Sequence, residues 1–173
     1  MKRLATIAIV LFVSATLNAQ QPPAAAPAGP PAAVTFTGSP QSAIASGVAI
    51  PSGKAMFWTS GTTPSAANAS APAGSRERFG DTRTQAASVL KNIAALLERQ
   101  GLSMKDVVYL RAYLVPDPTK NNRIDMDGWS AAYGEFFGTA NNPTKPARST
   151  VGVSALVNAD WLIEIEAFAV YPK

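Results

Sequence analysis

The 173-residue chain contains no cysteine and no histidine. Without cysteine it has no disulfide, no thiolate nucleophile and no thiolate-bound metal. Without histidine it has no Ser-His-Asp or Cys-His catalytic system and no imidazole-ligated metal. Charge is sparse, at 15% of residues. The sequence pI is near 9.6, yet no cluster of Lys and Arg and no aromatic stacking stripe accompanies it, so nucleic acid is not an expected partner. Lys2 and Arg3 supply two of the +4 net charges. The groups left to run chemistry are carboxylates, hydroxyls, arginine and the backbone.

Lys2 and Arg3 are followed by an almost uncharged apolar run, Leu4 to Leu17, and then by the small residue Ala19 before Gln20. This is the pattern of a secretory signal peptide over residues 1–19. It is too short, and too quickly followed by Gln and Pro, for a membrane span. The expectation is an exported protein, periplasmic or secreted, with no membrane association after cleavage. No cysteine follows the run, so the chain is not a bacterial lipoprotein. Residues 20–37 are rich in Pro and Ala and uncharged, and read as an extended tether. The folded domain is expected over 38–173.

Gly47-Val48-Ala49-Ile50 and Ala55 to Ser60 are short apolar runs flanking Pro51-Ser52-Gly53-Lys54, which reads as a hairpin. Residues 62–80 read as a loop. Asp81 is a helix cap, Ala86, Val89, Leu90, Ile93, Leu96 and Leu97 form one apolar stripe, and Gly101 ends it. Asp106 to Val115 reads as a strand. Val108, Leu110, Ala112 and Leu114 face one way, and Val107, Tyr109, Arg111, Tyr113 and Val115 the other. Residues 116–124 read as a polar loop. Met126, Trp129, Tyr133, Phe136 and Phe137 mark a second helix, closed by Gly138. Strands close the chain over Arg148–Leu156 and Trp161–Val170. The order ββαβαββ predicts an α+β domain, with a mostly antiparallel sheet and both helices on one face. Trp58, Trp129, Phe136 and Phe137 are assigned to the core. Tyr109 and Tyr113 go to a second sheet face that subunit association would cover.

The short connection between the last two strands predicts that they are neighbours, with Arg148 near Glu164. Such a pair is either a structural ion pair, with Glu164 or Glu166, or a site for a small anion. The residues alone leave both open.

Phe57-Trp58-Thr59-Ser60-Gly61, Tyr133-Gly134-Glu135-Phe136-Phe137 and, above all, Pro146-Ala147-Arg148 with Ile163-Glu164-Ile165-Glu166-Ala167 resemble the RidA/YjgF family of enamine/imine deaminases. The resemblance spans roughly residues 38–172. It implies a chorismate-mutase-like fold and a homotrimer with sites in the clefts between subunits, needing no metal or organic cofactor. It gives Arg148 the carboxylate of a 2-imino acid and Glu164 the attacking water. Thr150 and Gly61 match positions that contact ligand or water; Glu166 has no role in the motif and is structural. The chain departs from the family's pattern where Gly38-Ser39-Pro40-Gln41-Ser42-Ala43 lacks a tyrosine, where Thr150 replaces a frequent cysteine and where Ser130 replaces an asparagine. Two functions of different class follow. One is hydrolysis of reactive imino acids to keto acids and ammonia. The other is a non-catalytic trimeric module that binds small carboxylates, or a protein partner, in the same cleft.

Overall fold

The computed structural model describes residues 29–172; the expected signal peptide over 1–19 and the first half of the expected tether, 20–28, lie outside the described residues. Six strands and two helices follow in the order β1 (Thr35–Thr37), β2 (Gly47–Ala49), β3 (Met56–Trp58), α1 (Thr82–Arg99), β4 (Val107–Leu114), α2 (Met126–Phe136), β5 (Ala147–Gly152) and β6 (Ile163–Val170). The α+β class and the two helices match the expectation. One strand, β1, adds to the expected count and falls at the end of the segment read as tether.

A four-stranded sheet in the order β3-β6-β4-β5 carries the fold. It is mostly antiparallel, with β4 and β5 its parallel pair. Both helices cover one face. Leu110, Ala112 and Leu114 of β4 and Ile163, Ile165 and Ala167 of β6 meet Val89, Leu90, Ile93 and Leu97 of α1, together with Trp129 and Tyr133 of α2. Alternation along β6 buries Ile163, Ile165 and Ala167 and leaves Glu164, Glu166 and Phe168 half-buried on the opposite face.

Two expected pairings are corrected. β2 and β3 do not form a hairpin: β2 pairs with β1, and β3 pairs with β6. Pairing with β6 lets Phe57 pack on the core, while Thr35–Thr37 satisfies the backbone of β2. The last two strands are not neighbours either, because β4 lies between them. The segment β4-α2-β5 is a crossover unit, and a helical crossover returns a strand parallel to its predecessor. β5 therefore takes one side of β4, and β6 the other. The strands are also shorter than expected, with β5 ending at Gly152 and β6 starting at Ile163.

The expected phase of β4 holds from Tyr109 onward. A bulge between Val107 and Tyr109 shifts the register to β6, so that Val107, rather than Val108, joins the core cluster. Trp58 is corrected too: it is 64% exposed. The loops 62–80 and 116–124 are tied together by Arg76, whose Nη1 lies 3.3 Å from the fully buried Asp117 carboxylate. Asp117 Oδ1 also accepts from the Thr119 amide and hydroxyl, both at 2.8 Å.

Asp81 caps α1, its carboxylate accepting from the Thr84 amide at 2.8 Å. Gly101, at φ 70°, follows the C-terminus where left-handed backbone is needed. The hydrogen bond from Thr84 holds the Asp81 carboxyl below its ordinary value. A depressed folded-state pKa contributes stability above the unfolded value, and that contribution is lost as pH falls through the folded one. Asp81→Ala is expected to cost about 1 kcal/mol at neutral pH. Urea titrations of the two proteins should converge as pH falls through the lowered pKa of wild-type Asp81.

Candidate functional site

Arg148 is the second residue of β5, opposite Leu110 on β4. In a parallel pair, residues in register share a face, so Arg148 lies on the helix side of the sheet. There it crosses two rings of α2. Its guanidinium carbon is 4.5 Å from the Tyr133 ring centre and 5.1 Å from that of Trp129. The sequence reading put Trp129 in the core and Tyr133 on the same helical stripe, and both are buried. Their i, i+4 spacing also puts them on one helix face, where an arginine near the start of the next strand can lie across both. That spacing was the available signal.

Each ring is pinned. Trp129 Nε1 donates to Thr150 Oγ1 at 3.2 Å, and Tyr133 Oη donates to the Ala43 carbonyl at 3.1 Å. Thr150 thus sits two residues along the same strand face as Arg148, with its hydroxyl engaged by Trp129. Stacking occupies the flat faces of a guanidinium and leaves its in-plane N–H donors for a planar acceptor. One of these, Nη1, is buried without a hydrogen-bond partner. Burial pushes the Arg148 guanidinium below its ordinary pKa, against the pull of Tyr133, yet arginine stays charged at physiological pH. The Tyr133 phenol is pushed up to about 12 by burial and stays neutral.

Arg148 borders a cavity of about 310 Å³ that Ser42, Ser130, Tyr133, Phe137 and Lys145 also line. Among the described residues no carboxylate forms an ion pair with it. Within one chain, then, Arg148 does not form the structural ion pair with Glu164 or Glu166. Glu166 instead pairs with Arg111 at 3.5 Å and accepts from Tyr113 Oη at 3.4 Å, in keeping with its structural assignment.

Glu164 is on the other face, opposite Tyr113. The expected proximity of Arg148 and Glu164 within one chain is corrected by the intervening β4 and by this change of face. Glu164 meets Gly61 instead. Reciprocal backbone bonds, Thr62 N to Ile165 O at 2.8 Å and Ile165 N to Thr62 O at 3.0 Å, hold the Gly61 segment against β6. A β-carbon on Gly61 would occupy the space of Glu164 Oε1, so glycine lets the carboxylate hold this position. The four candidate residues thus fall into two groups: Arg148 with Thr150 beneath the helices, and Glu164 with Gly61 on the open face.

A family model described as Endoribonuclease L-PSP matches residues 43–171. The chain belongs to the RidA/YjgF family. Similar curated proteins include the 2-iminobutanoate/2-iminopropanoate deaminase of Escherichia coli (strain K12), 38% identical over 90 residues, or 52% of this chain and 64% of that protein. The RutC family protein PH0854 of Pyrococcus horikoshii is 42% identical over 90 residues, 52% of this chain and 63% of its own. The matched region spans less than two thirds of the length of these relatives. Among solved structures, the YjgF gene product of E. coli superposes with a TM-score of 0.52 at 34% identity, covering 70% of this chain and 84% of that one. A protein of unknown function from Yersinia pestis, YyfB of the conserved Rid family, gives 0.60 at 26% identity, covering 80% and 98%. These RidA/YjgF relatives support the α+β fold and place the chain in a family that includes proteins named as imine deaminases.

Proposed function

We propose that the protein is an exported RidA-type deaminase that hydrolyses reactive 2-imino acids to 2-keto acids and ammonia. The observation that carries this reading is the stacked, unpaired Arg148 guanidinium, with a free donor beside a cavity. A guanidinium in that state binds a carboxylate through two parallel hydrogen bonds and fixes its plane. The imine carbon is already electrophilic, so hydrolysis needs an oriented water, a proton acceptor and an exit for ammonia. Glu164 supplies the first two, with Gly61 leaving room for its carboxylate.

Because Arg148 and Glu164 occupy opposite faces of one sheet, the reading requires a second copy of the chain. Each site is completed where the Arg148 side of one subunit meets the open face of the next, in a homotrimer. That open face has the chemistry of an interface: Trp58, 64% exposed, lies 4.6 Å from Phe168, and Phe168 lies 5.2 Å from Tyr109. A second reading, carboxylate binding without turnover, draws support from Thr150, whose hydroxyl is engaged by Trp129.

Imines generated in situ by an amino-acid oxidase test the choice. Wild type is expected to accelerate their hydrolysis, and Glu164→Gln to lower kcat by about 100-fold with little change in KM. Equal rates for the two proteins would leave only the binding module. Light scattering at micromolar concentration should give the mass of three chains; a folded monomer would remove the shared site.

A further inference from the structure

We propose that the Arg148 cavity takes 2-imino dicarboxylic acids, with Lys145 holding the second carboxylate. This rests on the reading of Arg148 as the clamp for the carboxylate next to the imine.

Two cations, Lys145 and Arg148, line the same cavity of about 310 Å³, and no Asp or Glu is among its lining residues. Among the described residues neither cation belongs to an ion pair. A monocarboxylate would neutralise only one of them. Lys145 is also held in place. Its Nζ donates to the Pro40 carbonyl at 2.8 Å and to the Ser42 carbonyl at 2.9 Å. An ammonium has three N–H donors, so one remains. Carbonyl acceptors orient the group without cancelling its charge. The stem of Lys145 runs beside Gly138, where an added β-carbon would lie 3.5 Å from Cε. Both cations are half-buried, so the field between them is screened less than at an open surface.

The chemistry is otherwise that of the parent reaction. Water oxygen bonds to the imine carbon, the carbon–nitrogen bond breaks, nitrogen leaves as ammonia and a 2-keto dicarboxylate remains. The carboxylate that Lys145 holds takes no part in the bond changes and sets specificity alone.

Calorimetric titration of the full chain with keto acids separates binding from turnover. Wild type should bind 2-oxoglutarate about tenfold more tightly than 2-oxobutanoate, and added salt should narrow the gap. Lys145→Gln keeps donors for the two carbonyls but loses the charge, and should bring the affinity ratio to about one. Lys145→Arg should retain a preference for the diacid. Equal affinities in wild type overturn the proposal, as does a Lys145→Gln protein that loses both ligands in proportion, since lysine would then only brace the 40–42 segment. Arg148→Ala separates the two ideas. If it abolishes binding of 2-oxobutanoate while wild type shows no diacid preference, the clamp stands and the dicarboxylate specificity falls. If it leaves 2-oxobutanoate binding intact, both fall.

Discussion

Arg148→Met should remove imine hydrolysis and leave the protein at least as stable as wild type. The two effects have one origin. The guanidinium is half-buried, has a buried N–H without a partner and forms no ion pair among the described residues. Burying such a group costs free energy that a structural ion pair would offset. Stacking on Tyr133 and Trp129 returns part of it, about 0.5–2 kcal/mol for a cation over a ring. Methionine keeps apolar contact with both rings and removes the desolvated charge. A thermal midpoint equal to or above wild type is therefore expected. Activity goes the other way. Loss of a bidentate clamp should lower kcat/KM by about 100- to 1,000-fold, mostly through KM. A destabilised Arg148→Met protein with normal kinetics would mean that the arginine is structural after all.

Gly61→Ala should strike the second group of residues without touching the first. The backbone at Gly61 is not left-handed, so alanine brings no conformational strain. Its β-carbon does take the place of Glu164 Oε1. The carboxylate is at the far end of a flexible side chain and can move aside at little cost in stability. The water it orients is then misplaced, and a displacement of about 1 Å is enough to reduce rate on the order of 100-fold. The expected signature is a fall in kcat with KM nearly unchanged, opposite to that of Arg148→Met. If Gly61→Ala turns over normally, Glu164 does not act from the position seen here.

Local signals were legible in the sequence where one element determines its own form. The cap, the apolar stripe and the terminal glycine of α1 all lie within about twenty residues of chain, and the structure places each as read. Alternation along β6 correctly put Glu164 away from the core. Strand neighbours were not legible. Arg148 and Glu164 are close in sequence, and a short connection suggested a hairpin, but the order β6-β4-β5 follows from the α2 crossover, a property of three elements together. The bulge at Val107 was hidden for a related reason: alternation continues through the sequence while the partner register slips. Of the candidate site, the identities of the residues were legible through the resemblance, whereas their division between two faces was not. Trp129 was read for burial and Tyr133 only as part of the same helical stripe, because an aromatic beneath a cation has the same helical pattern as one in an apolar core.

The division of Arg148 and Glu164 between two faces has a genetic meaning under the proposed assembly. No site belongs to one polypeptide. A subunit with Arg148 replaced still offers a good Glu164, and a subunit with Glu164 replaced still offers a good Arg148. Refolded together in equal amounts, two inactive proteins should yield about a quarter of their sites intact in a randomly mixed ring. Complementation between dead alleles is thus expected, and each separate preparation stays silent.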